Sequence, residues 1–108
     1  MNITLTPEWQ ALLAHQTRLQ TQHLRDLFAA DTQRFRHFSV ELEGLLVDYS
    51  KQRIDQPALD SLLGLARLSG VESWRDRMFA GEKINFSEDR AVLHTALRHT
   101  DFTPFPNA

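Results

Sequence analysis

The sequence predicts a mainly helical α+β chain that carries one β-hairpin. Apolar residues recur at helical spacing over most of its length, and one stretch switches to alternation around a glycine. The helical stretches are also punctuated by residues that cap helices. The chain has 108 residues and a mass of 12.5 kDa, so it is expected to form a single segment over 1–108. Folding at that size buries roughly two-thirds of the extended chain's surface. That suffices for a core but not for a cleft between two lobes.

Thr6-Pro7-Glu8 opens the first helix with an N-cap hydroxyl, a proline at the first position and an acid in the first turn. Trp9, Leu12, Leu13, Leu19, Leu24, Leu27 and Phe28 follow on one stripe, but polar residues fill inward positions across Gln16–Gln22. Two helices are therefore expected, at about 7–20 and 23–30, with Asp31-Thr32 ending the second. Phe38, Val40 and Leu42 then alternate with Ser39 and Glu41, and Gly44 leads into Leu45–Tyr49. This pattern predicts a hairpin at about 38–50, which must lean on other elements because a lone hairpin is marginal in water. Asp55 as N-cap and Pro57 in the first turn start a third helix over 56–69, closed by Ser69-Gly70. A fourth runs over 71–80 and stops at Gly81, and Ser87-Glu88-Asp89 is expected to cap a fifth over 88–98. The tail, 99–108, holds Pro104 and Pro106 and reads as irregular. Trp9, Leu59, Leu63, Trp74 and Met78 are the expected main buried cluster.

Composition excludes several functions. Twelve Lys+Arg against 14 Asp+Glu give a net charge of -2, which argues against a nucleic-acid binder. The absence of cysteine removes disulfides, thiolate nucleophiles and cysteine-based metal sites. No apolar run is long enough for a signal peptide or membrane span, so no membrane association and a cytoplasmic location are expected.

Four side-chain constellations invite a site. His15 and His23, and His94 and His99, lack the spacing of a metal motif, so no metal site is expected from them. Arg34-Phe35-Arg36-His37-Phe38 has the composition of a phosphate and stacking patch, yet it reads better as packed Phe35 and Phe38 beside solvated cations. Gly81-Glu82-Lys83 lacks the frame of a phosphate loop. Arg90, His94 and Arg98 would share one helix face and could meet an anion, but by chemistry alone they read better as an exposed or interface-packed polar face. On residue chemistry alone, no catalytic, substrate-binding or metal residue is assigned.

Several stretches together resemble the N-terminal region of the glucose-6-phosphate isomerase (phosphoglucose isomerase) family. They are His23–Phe28, Arg34-Phe35 with His37-Phe38-Ser39, Leu46–Lys51, Gly70-Val71-Glu72 with Arg75, Arg77–Asn85 and Glu88–Arg98. Their order spans about residues 23–98, and the GEKIN and RAVLHTALR blocks are the most specific. The resemblance implies a segment of a larger α/β sugar-isomerase fold, working as a homodimer and interconverting glucose 6-phosphate and fructose 6-phosphate in glycolysis and gluconeogenesis. It implies proton transfer by a glutamate through a cis-enediol, with no cofactor. The family's phosphate-binding hydroxyls, catalytic glutamate and ring-opening histidine and lysine lie further along its subunits. None maps onto this sequence, and neither Glu82 nor Glu88 takes the catalytic place. His94 lies in a family motif and is expected to have at most a supporting place. The expected chain is therefore inactive alone; the alternative is an autonomous helical protein-interaction module without catalysis.

Overall fold

The structure is a computed structural model and describes residues 1–100. The chain divides into two compact units, 1–65 and 66–108.

In the first unit, Asn2 caps a short 3-10 turn at Ile3–Leu5, and the Thr6 hydroxyl accepts from the Trp9 N–H to start α1, Pro7–Leu19. The chain then turns through the polar stretch, and α2 runs over Leu24–Ala30. Its cap is His23: Nδ1 accepts from the Arg25 N–H at 3.0 Å, while Asp26 accepts from the His23 N–H at 3.0 Å. A one-turn helix, α3 (Arg34–His37), was not expected, because four residues are too few to show a period.

Strands β1 (Ser39–Leu42) and β2 (Leu45–Asp48) form an antiparallel hairpin, pairing Val40 with Val47 and Leu42 with Leu45. Glu43 and Gly44 make the two-residue turn with φ of 48° and 83°. Two positive φ values match the right-handed twist of the strands, and glycine is the residue that adopts them freely. Helix α4, Gln56–Leu68, starts where Asp55 Oδ1 accepts from the Ala58 N–H at 3.2 Å.

The core of this unit is small. Leu19, Leu27 and Ala58 are buried, with Leu24 and Ile54 packed against them, and Phe38 is buried nearby in sequence to α3. This corrects the expected cluster. Trp9, Leu59 and Met78 are only half-buried, while Leu63 is 45% and Trp74 38% exposed. Much of the apolar surface that the periodicity marks on the helices faces water, Leu13, Leu62, Leu63 and Leu68 among it.

The second unit takes the end of α4. Gly70, at φ 71°, donates to the Arg67 carbonyl and begins α5, Val71–Phe79. Helix α5 ends in a Schellman motif: the Gly81 N–H donates to the Met78 carbonyl and the Glu82 N–H to the Arg77 carbonyl. Gly81 supplies the required left-handed residue at φ 73°.

The fifth helix expected over 88–98 is not formed. Asn85 and Arg90 instead exchange two backbone hydrogen bonds, at 3.0 and 3.1 Å, across a turn that contains Ser87-Glu88-Asp89. Asp89 has φ 51°, which is incompatible with the first turn of a helix, and helical geometry survives only as a 3-10 turn at Ala96–Arg98. An amphipathic pattern of this length has too little propensity to nucleate a helix without packing to support it. The tail expected over 99–108 lies, from 101 on, outside the described residues.

Candidate functional site

In the second unit, the turn after α5 and the Asn85–Arg90 bridge bring two separated sequence blocks together. Gly81, Glu82 and Lys83 face Asp89, Arg90 and Leu93 across an open cleft of about 500 Å³. The Schellman turn fixes one wall, and the paired backbones of Asn85 and Arg90 fix the other. Arg77 Nε donates to Glu82 at 2.6 Å, and its guanidinium lies over the Trp74 ring at 4.5 Å. Trp74 in turn meets Phe86 edge-on. Lys83 pairs with Asp89 at 2.9 Å, and Asn85 donates to Glu88.

Both acids that could have served as a base are thus engaged, and both lie exposed to water. The Arg90 guanidinium is the one cation on the cleft that forms no ion pair among the described residues. Arg90, His94 and Arg98 do not share a helix face, because helical geometry there is confined to the 3-10 turn Ala96–Arg98; Arg98 reaches back to the His94 carbonyl at 3.0 Å. These ion pairs and backbone hydrogen bonds hold the turn between α5 and Arg90.

The Arg34–Phe38 stretch departs from its expected reading. Arg34 is only 2% exposed, not solvated, and Phe35 is exposed rather than packed. The Arg34 Nε donates to the Ser50 carbonyl, and one Nη donates to the Gln52 and Ile54 carbonyls, all at 2.8 Å. Its guanidinium also lies 4.4 Å from the Phe38 ring centroid and 5.5 Å from that of Phe28. A planar cation near two rings, with donors directed at three carbonyls, uses the geometry that distinguishes arginine from lysine. It pins the loop after the hairpin to α3. Nothing in the sequence marked Arg34 as buried.

The histidines are dispersed. His15 meets Ser61 and Arg18, His23 caps α2, and His37 pairs with Asp31 at 2.7 Å. His94 and His99 lie exposed, and no three metal-ligating side chains converge among the described residues.

Three aspartates are held below the usual carboxylate range by hydrogen bonds to their charged form. Asp55 is lowered chiefly by Arg18, whose own proton is held more tightly in return. Asp31 is lowered chiefly by His37, and Asp48 by the Ser50 hydroxyl.

These features describe a helical, hairpin-bearing piece whose polar clusters hold turns and helix ends in place. The comparisons with known proteins agree on its class. The family model described as phosphoglucose isomerase matches residues 48–106. The glucose-6-phosphate isomerase of Pseudoalteromonas translucida is 54% identical over 96 residues, and that of Deinococcus deserti 55% over 96. The enzyme of the same name from Chlorobium luteolum is 50% identical over 98 residues. These alignments cover 89–91% of this chain but 18% of each relative, and they fall in the relatives' N-terminal region.

The chain belongs to the phosphoglucose isomerase family. It spans about a fifth of the length of the curated relatives it matches.

Proposed function

We propose that residues 1–108 act as one N-terminal segment of a glucose-6-phosphate isomerase, within a larger α/β sugar-isomerase fold. The intact enzyme interconverts glucose 6-phosphate and fructose 6-phosphate as a cytoplasmic homodimer. The segment supplies helical packing and a hairpin, and the groups that bind phosphate and move the proton come from outside it. The observation that carries this reading is identity of about one-half across nine-tenths of this chain, confined to 18% of each relative. Two further observations support it. The cleft acids are already paired, and no helix among the described residues is long and apolar enough to cross a membrane.

The test is a graft. The 96 residues of the Pseudoalteromonas translucida enzyme that match this chain are replaced by their counterparts here. The graft is expected to interconvert the two sugar phosphates, whereas the purified 108-residue chain alone is expected to show no turnover. A folded graft without activity, or turnover by the isolated chain, would overturn the reading.

A further inference from the structure

The hairpin presents an apolar face that nothing in the described chain covers. Directly paired residues of an antiparallel ladder project to the same side, as do residues two apart on one strand. The pairs Val40–Val47 and Leu42–Leu45 therefore form one continuous patch, and each of the four side chains is more than half exposed. The opposite side carries Ser39, Glu41 and Asp48, with Leu46 its one apolar member. Such alternation is the signature of a strand pair with one side buried and the other in water.

The root of the hairpin is already fixed. The Tyr49 N–H donates to the Phe38 carbonyl at 2.9 Å, and the two rings meet edge-on with centroids 5.8 Å apart. Phe38 is itself buried against the Arg34 guanidinium. Gly44 and the two-residue turn fix the tip. The patch is therefore pre-organised for a partner, because little conformational freedom remains to be lost when it is covered.

We propose that the face formed by Val40, Leu42, Leu45 and Val47 is the docking surface through which this segment packs onto the body of the isomerase polypeptide. That body is the part of the relatives that lies outside the matched 18%. The proposal rests on the reading of the chain as a segment of that enzyme. The occupant follows from length and chemistry. More than four-fifths of a relative's polypeptide has no counterpart in this chain. A two-stranded hairpin gains independent stability only against further strands or a packed layer. The partner surface is correspondingly apolar.

The experiment uses the graft and the isolated chain side by side, each with Leu42→Thr and Leu45→Thr together. Threonine keeps β-propensity, so the hairpin itself is retained. In the graft, the double substitution is expected to lower Tm by about 5 °C or more, because side chains buried there would lose their apolar contacts. In the isolated chain, where both residues already face water, Tm is expected to stay put. Glu41→Gln, on the opposite side, is expected to leave both proteins unchanged.

A graft that folds and turns over but melts identically with and without the double substitution would overturn the docking surface alone. A graft that fails to fold or turn over without any substitution would overturn the segment reading, and the docking surface with it. Light scattering of the isolated chain should report a monomer. A dimer dispersed by the double substitution would show that a second copy takes the face, and would overturn the proposed occupant.

Discussion

Arg34 and Asp55 show how much a single side chain can settle in a chain with so small a core. Arg34 satisfies three backbone carbonyls from a buried position. Arg34→Met keeps the bulk but strands the buried Ser50 carbonyl and frees the half-buried ones of Gln52 and Ile54; an unsatisfied buried group costs about 1–3 kcal/mol. A loss of about 2 kcal/mol or more in urea melts is the expected result, and Arg34→Lys should recover little, since an ammonium cannot reach all three. Asp55 joins two roles, the cap of α4 and the bidentate partner of Arg18 at 2.6 and 2.9 Å. Asp55→Ala should cost about 1 kcal/mol, mostly through the cap; the exposed ion pair adds little. The cap was legible in the sequence because capping chemistry is local: an acid directly before a proline-bearing first turn. The buried arginine was not, because its acceptors lie 16–20 residues away and are backbone atoms that any sequence would provide.

At the scale of elements, the boundaries that depend on neighbouring residues were the readable ones. Thr6-Pro7, Asp55, Gly70 and Gly81 mark helix ends in the structure as their chemistry implies, and Gly44 marks the hairpin turn. Gly44→Ala tests the last of these. Space around a new Cβ is open, so the whole effect is the left-handed backbone, which costs an alanine about 1–2 kcal/mol. Chemical denaturation should show that loss, and Glu43→Gly should act in the opposite sense. Residues 88–98 misled because their period is helical while Asp89 and the Asn85–Arg90 pairing commit the backbone elsewhere. Periodicity says which side chains could share a face; it does not say whether the backbone has a better use for its hydrogen bonds. The same limit applies to Leu63, which lies on an apolar stripe yet is 45% exposed. Leu63→Ala should cost well under the ~2–5 kcal/mol of a closed core site. A loss within that range in the isolated chain would show that the site is closed after all.

For the molecule as a whole, acid should be the first stress to tell. Asp31, Asp48 and Asp55 all have folded-state pKa values below those of the unfolded chain. Their ionised forms therefore add stability above about pH 4, the ordinary aspartate range, and that stability is lost as pH falls further through the lowered values. Replacing the three with asparagine should flatten the acid limb of a stability profile followed by helical circular dichroism. Retention of the full acid slope would show that other carboxylates set it. The site was legible only in outline. The Gly81–Asn85 and Glu88–Arg98 blocks carried the family resemblance, but their meeting across one cleft depends on a Schellman turn and a bridge that form only in three dimensions. The uncovered hairpin also bears on the chain's life inside a cell. Bare apolar strands are what folding helpers hold and what degradation removes, since both compete for surface that has not found its place. Synthesised by itself, this polypeptide should be short-lived, its abundance rising and falling with whatever shelters Leu42 and Leu45.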